Sequence, residues 1–153
     1  MLHLLRVIEA QLWRDGRVVW EVRDRPNVLH DEGTRYCLRA LFNTSVVGVA
    51  PFYYAGLDNR VAPAVTDLLS ELTSEPSTFG YQRVAINSST GFVVTQVGGI
   101  YQATSGVLTF NATGGTWGPV QNLFLATTND NTGVLISTVQ LDGPHFVNNA
   151  EKL

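Results

Sequence analysis

Apolar positions alternate with polar ones in the first part of the chain. Leu4, Ile8, Ala10 and Leu12 share one parity, and Val18, Trp20 and Val22 resume the alternation after Arg14-Asp15-Gly16-Arg17. A period of two puts side chains on one face of a strand, and Asp-Gly between two such runs is the chemistry of a tight hairpin turn. The pattern predicts an N-terminal β-hairpin ribbon over residues 1–26, with Glu9, Glu21, Arg23, Asp24 and Arg25 on its solvated face and Pro26 ending it. From Asp31 the spacing becomes helical. Thr34, Cys37, Leu38 and Leu41 share one face, Asp31 and Glu32 sit at the positive end, and Asn43 closes a short helix near 31–42. Residues 51–57 read as a buried aromatic strand, and 66–72 as at most two helical turns before Pro76 forbids more.

The remainder reads as strand and turn. Short β-type runs at 81–86, 92–97, 106–112, 120–127 and 134–141 are separated by Ser-Ser-Thr-Gly, Gly-Gly, Gly-Gly-Thr-Trp-Gly-Pro and Asn-Asp-Asn-Thr-Gly. Regular spacing of this kind indicates an antiparallel sandwich or barrel, and no period of 20–50 residues repeats to suggest a solenoid or propeller. The expected fold class is mainly β: an antiparallel β-sandwich, jelly-roll-like, with an N-terminal β-hairpin and one or two short helices. Residues 1–153 are expected to form a single domain, a ribbon over 1–26 and a sandwich body over 27–153 with the short helices near 31–42 and 66–72. At 153 residues it is long enough to bury a core without disulfides or metals.

Charge sharpens this picture. Only 15% of residues are charged, against roughly 25% in an ordinary soluble domain. Residues 1–42 hold seven arginines and six acids, whereas residues 84–150 hold only Asp130 and Asp142. Strands so poor in charge, yet rich in Thr, Ser, Asn, Gln and Gly, expose neutral-polar faces or faces covered by neighbouring chains. A net charge of −3 without a clustered basic face argues against nucleic acid as a partner. The sequence contains no apolar run of roughly 20 residues and no signal-peptide pattern, so no membrane is expected and synthesis in the cytoplasm is.

Little chemistry is visible. Cys37 is the only cysteine and reads as a small core side chain. The Asn-x-Ser/Thr sequons at Asn43, Asn87 and Asn111 read as chance. His3, His30 and His145 are isolated, with no metal-ligand spacing, and neither a metal nor a cofactor is implied. His30-Asp31-Glu32 offers an imidazole beside carboxylates but no neighbouring nucleophile, so it reads as a helix start. Gly98-Gly99 and Gly114-Gly115 lack the Lys-Ser/Thr of a phosphate loop and read as turns. Asp58, Asp67, Glu71 and Glu75 suggest the paired carboxylates of a glycosidase, but helix capping and surface exposure account for them more simply. Trp13, Trp20, Trp117, Tyr53, Tyr54, Tyr81 and Tyr101 suit a core, an interface anchor or a sugar-stacking platform.

Several segments taken together resemble a recurring type of tailed-bacteriophage virion structural protein, found among capsid-decoration and tail or baseplate components. They are Asn27-Val28-Leu29 before the helix, the run from Phe52 to Asn59, Asp67-Leu68-Leu69-Ser70-Glu71, Gly80-Tyr81-Gln82-Arg83, Leu108-Thr109-Phe110-Asn111-Ala112, the run from Gly118 to Thr127, and the run from Asn131 to Ile136. The resemblance covers roughly residues 27–147, specifies a fold far more than an activity, and transfers no catalytic residue. Proteins of this type usually add one more strand after a turn. This chain stops at Leu153, so either that strand is lost, or the ribbon or a neighbouring subunit is expected in its place.

The resemblance implies a non-enzymatic structural subunit located in the virion, most simply a capsid decoration or cement protein that stabilises the head. The alternatives are a tail, connector or baseplate protein, or a carbohydrate-binding receptor module of the tail. Expected partners are other copies of the chain, trimers included, and the major capsid protein or other virion proteins. The ribbon, with Trp13, Arg14, Arg17 and Trp20, and Trp117 in the body are the expected interface residues.

Overall fold

A computed structural model describes residues 6–43 and 48–153. His3 and Leu4 lie outside the described residues, as do the side chains of Ile8 and Tyr101.

The fold is mainly β and antiparallel, with the expected N-terminal hairpin. Strands β1 (Arg6–Arg14) and β2 (Arg17–Leu29) form the ribbon. Helix α1 (Asp31–Phe42) follows, then β3 (Phe52–Asp58), a single 3-10 turn at Leu69–Glu71, and β4 (Val84–Asn87). After these come β5 (Phe92–Val97), β6 (Ile100–Ser105), β7 (Trp117–Ala126) and β8 (Leu135–Val147). A six-stranded sheet runs in the order β1-β2-β8-β7-β3-β4, and β5-β6 stand apart as a two-stranded sheet.

Asp15 and Gly16 both take positive φ (50° and 74°), so the ribbon turns as the Asp-Gly pair dictates. Ala10 lies opposite Val22 and Leu12 opposite Trp20, and all four join the core. Glu9 faces Arg23 on the solvated side. A register shift between Leu12 and Trp13 sets Trp13 against Val18 and leaves both 40% exposed, so Val18 departs from the expected core face. Pro26 does not end the strand. It pairs with Arg6, and Asn27–Leu29 continue β2 onto a new neighbour, pairing with Ser137–Val139 of β8. Proline lacks an N–H, and here it stands where the strand changes partner.

Three further expectations shift. The strand expected at 81–86 forms at Val84–Asn87, and the helical turns at 66–72 shrink to Leu69–Glu71. The strand expected at 106–112 is replaced by β6, because Gly98 and Gly99 (φ 59° and 83°) turn β5 back at once, with Val97 facing Ile100. Within 106–112 Asn111 makes only a bridge to Lys152.

The six-stranded sheet packs on both faces. On one, Ala55, Leu57, Leu123, Leu125 and Leu141 meet Leu12 and Trp20 of the ribbon, Phe110, Trp117 and Leu153. On the other, Phe124, Ala126 and Leu135 meet Leu69 and Leu72. Helix α1 lies against β8 through Gly33, where an added Cβ would stand 2.3 Å from the Ile136 carbonyl oxygen. The C-terminal residues close the edge beside the ribbon: Trp13 exchanges backbone hydrogen bonds with Lys152, and Phe110 with Leu153.

Candidate functional site

Asp58 ends β3 on the second face of the sheet, opposite Asn122 of β7. Its carboxylate is fully buried, contrary to the expectation of capping and surface exposure. A buried charge is tolerated only when paired and hydrogen-bonded, and Asp58 is both. It accepts from the Arg60 backbone N–H (2.7 Å), from Arg60 Nη2 (2.6 Å) and Nε (3.1 Å), and from Asn122 Nδ2 (2.8 Å). Arg60 also pairs with Asp67, whose carboxylate accepts from the Ala64 N–H at 2.9 Å.

Around this ion cluster, sheet side chains hold the loop that carries Arg60. Gln121 donates to the Asn59 carbonyl (2.9 Å), Asn122 to that of Arg60 (2.6 Å), and Gln140 to that of Val61 (2.7 Å). His30, fully buried, shares a 2.8 Å hydrogen bond with Thr138 Oγ1, which lies 3.3 Å from Arg60 Nη2. Burial holds the His30 imidazole below its ordinary pKa, and the Arg60 cation adds to the effect. His30 precedes α1 but makes no side-chain cap, and Glu32 accepts from the Leu69 and Leu135 N–H groups instead. Asp58 and Asp67 are therefore joined through one guanidinium rather than set across a sugar cleft.

A second buried cation repeats the theme. Arg83, with a 4% exposed side chain, lies 2.6 Å from Glu75 and 5.0 Å from the centre of the Phe124 ring. It donates to the Thr128 and Asp130 carbonyls and to Asn131 Oδ1. Tyr81 donates to Glu75 at 2.6 Å, and burial pushes its phenol far above the usual value. Among the described residues no group of His, Cys, Asp and Glu is arranged to hold a metal ion.

The expected interface residues separate. Trp13 and Arg17 are exposed, while Arg14 reaches back to the buried Glu151. Burial pushes the Glu151 carboxyl up, but the Asn148 N–H and Arg14 outweigh it and hold it below the ordinary value. Trp20 is half-buried, its ring 3.9 Å from that of His145 and its N–H 3.1 Å from Asp142. Trp117 is 2% exposed and belongs to the core, donating to the Thr78 and Phe79 carbonyls, with Tyr81 edge-on at 5.4 Å. It offers no surface to a partner or a sugar. Tyr53, half-buried, packs between Tyr36 and Phe92.

The sequence missed two exposed apolar surfaces. In α1 the buried residues are Gly33 and Tyr36, whose hydroxyl accepts from the Ala50 N–H at 2.8 Å, and Cys37 is half-buried. Leu38, Leu41 and Phe42, the first two expected inside, are 53%, 71% and 82% exposed. Leu38 and Phe42, with Asp31, Thr34, Arg35, Arg39 and Asn43, border an open groove of about 490 Å³. The other surface is the β5-β6 hairpin, where Val93 and Val94 are exposed.

Among the described residues no helix is long and apolar enough to cross a membrane. No family model, curated protein or solved structure matches the chain.

Proposed function

We propose that the chain is a non-enzymatic structural subunit of a tailed-phage particle, in the first place a capsid decoration or cement protein that stabilises the head. The observation that carries this reading is apolar surface left exposed on a body whose inner ion pairs are already taken up by its own loops and termini. The buried ionisable groups Asp58, Arg83 and Glu151 are spent, with their partners Arg60 and Asp67, Glu75, and Arg14, on holding loops and termini to the sheet. Beside the exposed charges of the ribbon and helix, apolar side chains are also left in the open: Leu38, Leu41 and Phe42 on the helix, Val93 and Val94 on the hairpin. Apolar surface of that kind suits burial against other chains. Cementing needs no reaction. Many equivalent contacts across a shell add their free energies, and the lattice gains resistance to internal pressure through multivalency.

Quantitative mass spectrometry of purified particles, giving copies of this chain per major capsid protein, tests the reading. On the order of hundreds of copies per particle supports capsid decoration, the number that a multivalent lattice contact requires. Three to a few dozen copies, the stoichiometry of a cyclic assembly, moves the chain to the tail, connector or baseplate. Absence from particles overturns the proposal.

A further inference from the structure

We infer that β5 is a self-association edge, pairing antiparallel with β5 of a second copy across a two-fold axis to make a four-stranded sheet. Val93 and Val94 are 64% and 68% exposed, and consecutive strand residues point to opposite faces, so β5 stands clear of the body on both sides. Its anchor is Phe92, whose ring lies 6.0 Å from that of Tyr53. Among the described residues, neither β5 nor β6 pairs with a third strand. An isolated two-stranded hairpin is marginally stable in water, and further strands are what stabilise it.

The choice of a second copy rests on how the other edges are guarded. Proteins protect open strand edges with charge, proline, short length or a cover. The outer edge of β1 is met by the Lys152 backbone and its ribbon carries charged side chains, while β4 is only four residues long. The six-residue β5 and β6 have no such guard: no charged residue occurs between Arg83 and Asp130, and no proline lies within the hairpin. A strand without charge meets no electrostatic repulsion from its own copy, and a two-fold pairing satisfies both edges with the same contacts. The pairing deepens the assembly reading by naming its surface, but does not depend on a virion.

A single added strand pair buries less than the roughly 1,200 Å² of a stable interface, so the dimer should be weak, with a midpoint of roughly 10–100 µM. Sedimentation equilibrium up to about 0.5 mM should show a monomer–dimer equilibrium. Val93→Lys and Val94→Lys, which place charge on the two faces of the edge, should each shift it to monomer at an unchanged melting temperature. Val107→Lys, at a valine 96% exposed outside the hairpin, should leave it intact. A wild-type monomer throughout, a dimer that survives both hairpin variants, or any other stoichiometry overturns the inference. Should the variants fail to fold, hydrogen exchange on the wild type decides: β5 amides must slow as concentration rises, and exchange independent of concentration overturns the pairing. Dimerisation through β5 in a chain absent from particles keeps this inference and overturns the virion reading. A monomeric chain present in particles does the reverse.

Discussion

Asp58 shows what a single residue contributes here. Removing one partner of a buried ion pair leaves the other charge uncompensated, so Asp58→Ala should cost about 3–5 kcal/mol in urea denaturation. A loss under about 1 kcal/mol would mean that the amides of Gln121, Asn122 and Gln140 hold the 59–68 loop without the ion pair. His30 gives a pH signature. Its imidazole is kept neutral in the folded chain, whereas the unfolded chain protonates it near its ordinary 6.5. Unfolding then takes up a proton, so stability should fall as pH drops below about 6.5, and a His30→Asn variant should lose that slope. Glu151, whose carboxyl is held below its ordinary 4.5, acts in a separate window: its contribution is present above 4.5 and disappears only as pH falls through its lower folded value. The acids of this cluster were visible in the sequence but their burial was not. Asn122 and Thr138 reach Asp58 and Arg60 from 64 and 78 residues away, and no local spacing encodes that meeting.

The ribbon and α1 mark the extremes of legibility among the elements. Alternation and an Asp-Gly turn specify a hairpin from within fewer than thirty residues, and the core parity of Ala10, Leu12, Trp20 and Val22 follows from them. The extra residue at the Leu12/Trp13 irregularity left no mark in the pattern, which is why Val18 was misplaced. For α1 the period gave the helix and its limits but not the side that is buried. Leu38 and Leu41 outweigh Gly33 in any hydrophobic pattern, yet the close approach to Ile136 admits only the side with no Cβ. Gly33→Ala should therefore destabilise by about 2 kcal/mol or more, since backbone must move to admit the methyl group. Leu41→Ser and Phe42→Ser should change stability by no more than about 0.5 kcal/mol, as at other exposed positions. Thermal melts of the three variants would separate these outcomes, and a Leu41→Ser loss as large as that of Gly33→Ala would reverse the assigned face.

At the scale of the molecule, the sequence carried the mainly-β class but not the closure. Packing of the ribbon face depends on contacts between the first and last thirty residues of the chain, a separation at which patterning is silent. Removing residues 151–153 should cost about 3 kcal/mol or more, because Leu153 leaves the core and Arg14 loses its buried partner. A truncated chain as stable as the full one would mean that the 110–112 segment closes the edge unaided. The same closure gives the ribbon a mechanical character. Its base is fastened where Asn27–Leu29 join β8, and its far end where Trp13 and Arg14 meet Lys152 and Glu151. It is therefore a beam supported at both ends rather than a cantilever. A load applied near Asp15 divides between β8 and the C-terminal clasp, and release of the clasp alone would pass that load to the span where Leu12 and Trp20 rest on the core.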